Sequence, residues 1–183
     1  EIPVDASTVE TEPALGRMNA VRYADAALGR FIDKARSSNY WQDTIFLIVA
    51  DHDAKVADFS SKYQAPAQKD KDLIFPIEGF HVPALFLGPS VPKKRSKFIA
   101  SQIDLPTTIL GLAHIRAPHP MIGKDLSMVS PDYKGRAIMQ FDQYHAHLTA
   151  KEIIVFRPNK SISFGTIGSG NTISQNPFGV DAS

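Results

Sequence analysis

The sequence contains no cysteine, which excludes disulfides, thiolate metal sites and cysteine nucleophiles together. That absence fits an envelope or periplasmic protein without establishing one. No run approaches the roughly 18 apolar residues of a membrane-spanning helix, and no signal peptide is visible. An excess of either charge is also missing: 20 Lys and Arg stand against 19 Asp and Glu, a formal net charge of +1. Such a balance gives no electrostatic case for nucleic acid or for an anionic membrane surface. The one basic cluster, Lys93-Lys94-Arg95 followed by Lys97, reads as a solvated loop. G-x-S-x-G, the P-loop glycine pattern and H-E-x-x-H are absent as well.

What is present is 183 residues, 43% hydrophobic and 21% charged, enough for one domain with a real core. The chain begins at Glu1 rather than Met, so the expectation is an excised piece with targeting signals upstream.

Residues 1–13 are polar, carry two prolines and read as an extended lead-in. From Ala14 the texture becomes helical: Leu15, Met18, Val21, Ala24, Leu28, Phe31 and Ile32 recur at three- and four-residue spacing. Ser37-Ser38-Asn39 should stop that helix near Arg36. Thr44–Ala50, TIFLIVA, is short, apolar and rich in β-branched residues, the pattern of a strand covered on both faces in a parallel sheet. Residues 53–80 read as a long polar surface loop, a length often functional. Val82–Leu87 is a second buried strand, stopped by Gly88-Pro89. Asp104 then stands as N-cap of a helix running to about Ala113, with Pro106 in its first turn. Three short strands follow, Ala137–Phe141, Lys151–Phe156 and Ser161–Phe164, with Arg157–Lys160 as a hairpin turn between the last two. The tail from Gly165 is expected to fray. The fold class is therefore α/β, one domain with an α/β core over 14–128 and a small antiparallel C-terminal sheet over 129–183.

Asp51-His52 stands where the first strand should surface, and ligands of open α/β sheets bind beyond the carboxyl ends of strands. A carboxylate oxygen and an imidazole nitrogen there suit a cation such as Zn²⁺ or Mn²⁺; the bland alternative is a turn cap beside a solvent-facing histidine. His81, just before the second strand, is a second candidate. His145 and His147 lie two apart, so on a strand they would share a face. Such pairs can bind metal, although no carboxylate pattern beside them supports it. His114 and His119 flank a proline-rich turn and read as surface groups.

The order of the pieces says more than any one of them. VRYADAALGRFIDKARSSNYWQDTIFLIVADHDAKV, FHVPALFLGPSVP, SQIDLPTTILGLAHI, HPMIGKDL and GRAIMQF together resemble the C-terminal half of a sulfatase-like enzyme of the alkaline phosphatase superfamily. The branch most resembled is that of the lipoteichoic-acid-synthase-like phosphoglycerol transferases. The resemblance implies an alkaline-phosphatase-like layered sheet with flanking helices. It implies Asp51 and His52 as ligands of a divalent metal, Mn²⁺ first, with Zn²⁺, Mg²⁺ or Ca²⁺ as other choices. It makes His81 a residue facing the substrate's phosphate or sulfate, or a second metal. The chemistry implied is in-line attack of a metal-activated hydroxyl on a phospho- or sulfo-ester, in an envelope protein anchored to the membrane.

This chain departs from the family's pattern in two ways. Asp53 stands where the family usually has Gly or Asn. The nucleophile and first carboxylate ligand belong to the family's N-terminal half, so no catalytic residue is expected in this chain. The expected partner is that missing half, the substrate a phospholipid- or sulfate-ester, and the chain alone inactive. The competing expectation is a non-enzymatic truncated module that binds an anionic envelope ligand or partner. A bared sheet surface could also support a homodimer.

Overall fold

The computed structural model describes residues 13–52, 77–167 and 173–175. The chain forms two compact units, Glu1–Pro89 and Ser90–Ser183.

In the first unit, helix α1 spans Pro13–Arg36. Proline at its start has no amide to leave unbonded. Lys34 and Arg36 in the last turn face the negative end of the helix dipole. A 3₁₀ turn, Trp41–Asp43, leads into strand β1, Phe46–Val49. Phe46 anchors the strand, with the Trp41 ring stacked at 5.4 Å and the Phe31 ring of α1 edge-on at 5.9 Å. Strand β2 is Ala84–Leu87, and it pairs with β1 from Phe46↔Leu87 to Val49↔Ala84.

That pairing is antiparallel, whereas the apolar run had suggested a parallel sheet. An apolar run reports burial and carries no information on strand direction. Nor is the burial two-sided: Val49 is 39% and Leu85 51% exposed. Met18, Val21 and Phe31 of α1 are exposed too, although Ile32 and Ala35 are buried. Among the described residues, little packs on these surfaces. Most of the expected loop, residues 53–76, lies outside the described residues; its end, Ile77–Phe80, is a 3₁₀ turn.

In the second unit, the 3₁₀ turn Gln102–Asp104 runs straight into helix α2, Leu105–Leu112. Five strands follow: β3 (Arg136–Phe141), β4 (Tyr144–Thr149), β5 (Glu152–Phe156), β6 (Ile162–Ile167) and β7 (Ile173–Gln175). They form one antiparallel meander in chain order. The small C-terminal sheet is thus present, with β4 and β7 added to the three strands expected. Of the tail expected to fray from Gly165, residues 165–167 instead complete β6 and Ile173–Gln175 form β7; the rest lies outside the described residues. Met139, Ala146, Leu148, Ile153 and Val155 are buried, and the register puts all five on one face. The expected turn between β5 and β6 closes through Lys160 N–H donating to the Arg157 carbonyl at 3.0 Å.

Asp104 ties α2 to this sheet. Its carboxylate accepts the amide N–H groups of Ser101 (3.0 Å) and Lys124 (2.8 Å). It also takes a two-pronged guanidinium bond from Arg136, both prongs 2.9 Å. Its carbonyl accepts the Thr107 and Thr108 hydroxyls. Asp104 occupies the expected N-cap position of α2, yet its side chain does not cap that helix. It closes the preceding 3₁₀ turn in a reciprocal box with Ser101 instead. The approach of Lys124 needs Gly123, because a Cβ there would run into the Ile103 backbone.

Candidate metal centre

β1 ends at Val49, and the ladder continues one step further, Ala50 N–H donating to the Pro83 carbonyl at 3.2 Å. Pro83 has no N–H, so regular pairing stops there and the chain bends at Asp51 and His52. The pair thus stands at the carboxyl end of β1. The His52 N–H donates to Asp51 Oδ1 at 2.9 Å, which fixes the carboxylate against its own backbone. His52 Nε2 lies 3.6 Å from Asp51 Oδ2. Both side chains are open to solvent, His52 76% and Asp51 89% exposed, so neither needs burial undone before it can take a ligand.

His81 lies at the same end of the two-stranded sheet. It precedes Pro83, the residue whose carbonyl takes the last ladder bond from Ala50. His81 is exposed and precedes the paired part of β2. Among the described residues, no group of three His, Cys, Asp or Glu converges as a metal site. Asp53 lies outside the described residues.

The donor set itself fits a divalent cation. One carboxylate oxygen and one imidazole nitrogen suit borderline and hard ions alike. They fill two positions of the four to six such ions require, so further donors must come from elsewhere. Asp104, the buried carboxylate, is not one of them. Four N–H groups saturate it. His114 and His119 are exposed, as expected for surface groups.

The sequence profile of the family described as Sulfatase matches residues 6–115, a span that holds β1, Asp51-His52, His81 and β2. This chain belongs to the sulfatase family. A solved structure of a protein in the alkaline phosphatase superfamily from Vibrio parahaemolyticus is similar at 36% identity. The match covers 86% of this chain with a TM-score of 0.72. It covers 36% of the Vibrio chain, so the present chain spans about a third of that protein's length. The likeness supports the alkaline-phosphatase-type α/β fold for this sulfatase-family chain, and members of that superfamily generally use divalent metals.

Proposed function

We propose that this sulfatase-family chain supplies two metal ligands, Asp51 and His52, to a metal-dependent hydrolase or phosphoglycerol transferase acting on phospho- or sulfo-esters. The carrying observation is the pair's place: adjacent, solvent-open oxygen and nitrogen donors where β1 ends, inside the span that the family profile matches. A bound divalent ion, Mn²⁺ in this reading, neutralises charge on the transferred group and lowers the pKa of the attacking hydroxyl. Asp51 and His52 hold it. His81, at the same end of the sheet, faces the ester oxygens of the substrate and orients them.

The attacking hydroxyl and the remaining donors belong to a segment outside this chain, so the chain alone turns nothing over. That segment is the proposed partner; Val49 and Leu85 are exposed on opposite faces of the β1–β2 pair, and the segment covers the Leu85 face. A homodimer across that surface is the competing arrangement. No helix among the described residues is long and apolar enough to cross a membrane. In this reading the enzyme works at the cell envelope on a lipid-linked or other anionic ester, and any anchor is supplied by the partner segment.

A phosphodiesterase assay with Mn²⁺ tests the reading. The chain alone should give no turnover above the metal blank. The longer native polypeptide should hydrolyse or transfer, and Asp51→Asn should abolish it. Robust hydrolysis by this chain alone, lost in Asp51→Ala, would overturn the placement of the nucleophile. An inactive native polypeptide of about this chain's mass, 20.1 kDa, would favour a binding module without catalysis.

A further inference from the structure

We infer a second metal-binding site, independent of Asp51 and His52, formed by His145 and His147 on the outward face of β4. Strand β4 is paired on both sides, to β3 and to β5, so its backbone is held and its side-chain directions are set. Ala146 and Leu148 are buried. The alternate residues therefore point the other way, and His145 is exposed while His147 is half-buried. Neither imidazole has a hydrogen-bond or ion-pair partner among the described residues.

Residues two apart on a strand sit about 6.5–7 Å from each other. A metal–imidazole bond is about 2 Å long, and each ring nitrogen lies several ångströms from its own backbone. Two rings leaning together therefore close the gap with no backbone movement. Around the pair on the same face stand Ile138 and Ile154, opposite His147, with Gln140 and Phe156 opposite His145. Glu152, diagonal to His147 along β5, is a same-face carboxylate close in register. This donor set is nitrogen-only at its centre, unlike the mixed oxygen and nitrogen pair at β1. It selects copper, nickel and zinc over manganese, magnesium and calcium. The two loci should thus take different ions, and total metal content would not report occupancy of the Asp51–His52 centre.

The test uses the untagged chain carrying Asp51→Asn and His52→Gln, so that the other centre is silent. Titration with Ni²⁺ or Cu²⁺ should show one ion per chain, and the Cu²⁺ electron paramagnetic resonance spectrum should carry coupling to imidazole nitrogen. Adding His145→Gln or His147→Gln should weaken binding at least ten-fold, with the circular dichroism spectrum unchanged. Binding that survives either substitution, or that is absent once Asp51 and His52 are silenced, overturns the site. Should a histidine variant fail to fold, the native sequence answers alone. Paramagnetic Ni²⁺ should broaden the His145 and His147 imidazole resonances before those of His114 and His119, and the reverse order overturns the site.

Discussion

β1 and β5 are both short apolar strands, FLIV and EIIVF, yet they meet solvent very differently. In β5, Ile153 is 1% exposed and Val155 is also buried. That strand has a partner on each edge, and one face is covered. In β1 no residue is fully buried, and β2 is its one partner among the described residues. The second unit thus holds its own core and its own saturated polar knot at Asp104. The first unit carries the candidate chemistry on strands that lack cover. In the proposed reading the centre takes donors from outside this chain, and it stands on strands whose apolar side chains are exposed among the described residues.

The largest expected effect breaks the knot. Asp104→Ala leaves Arg136 and the amides of Ser101 and Lys124 without their acceptor. Removing one partner of such a buried pair costs about 3–5 kcal/mol, and Arg136 being 25% exposed argues for the lower end. Urea denaturation followed by far-UV circular dichroism measures it. Trp41 is the chain's one tryptophan and lies in the first unit, so its fluorescence reads that unit separately. A loss below about 1 kcal/mol would mean that the second unit is not held by Asp104.

The same knot sets an acid limit. Burial pushes the Asp104 pKa up, but the Arg136 hydrogen bonds, the Lys124 and Ser101 amides and the Arg136 charge outweigh it. The folded pKa therefore lies below the ordinary value of 3.8. A depressed folded pKa contributes stability above the unfolded value, and that contribution is lost as pH falls through the folded one. Unfolding free energy should hold above about pH 4 and fall below it, with a shallower fall in Asp104→Asn. Equal acid slopes in the two proteins would remove Asp104 as the cause.

Next comes the comparison of strands itself. Ile153→Ala should cost about 2–5 kcal/mol, as large-to-small changes in closed cores do. Leu85→Ala should cost about 1 kcal/mol or less in this chain, because half the side chain is already in water. In a polypeptide that also carries the proposed partner segment, Leu85→Ala should rise toward the Ile153→Ala value. Equal costs in this chain would show that β2 is already covered, and the case for a missing partner surface would lose its physical basis. Mn²⁺ offers a smaller handle: at ten times its dissociation constant it should stabilise the chain by about 1.4 kcal/mol. Thermal melts should lose that gain in His52→Gln.

Much of this was legible in the sequence, for reasons that differ by residue. Three- and four-residue spacing located α1, and the apolar run over 82–87 located β2, which begins two residues later than that run, at Ala84. The place of Asp51 and His52 at the end of β1 was legible from the apolar run before them; their role as ligands is proposed from the order of motifs, since the dipeptide alone suits a turn cap equally well. The knot was not legible. Asp104 reads locally as a helix cap, and its partners Lys124 and Arg136 stand 20 and 32 residues away. β4 was missed because YHAHLT alternates with small Ala146 on the buried side and histidines on the other, so its apolar contrast is weak. Strand direction in β1 and β2 is set by partners along the sheet, which an apolar run does not encode.

The smallest expected effect is a gain, at the end of α2. Ile115 N–H donates to the Leu110 carbonyl at 2.9 Å and His114 N–H to that of Gly111 at 3.0 Å, the paired closure of a Schellman cap. That closure puts His114 at φ 59°, a left-handed conformation that costs a side-chain-bearing residue about 1 kcal/mol and that glycine adopts freely. The His114 side chain is exposed, so its removal opens no cavity. His114→Gly should therefore raise stability, by about 0.5 kcal/mol once the added freedom of the unfolded chain is deducted. Because α2 belongs to the second unit, the gain should appear in the far-UV transition that Asp104→Ala depresses. A loss would mean that the imidazole makes a contact worth more than the strain, and the second unit's stability would then extend to the surface of its helix end.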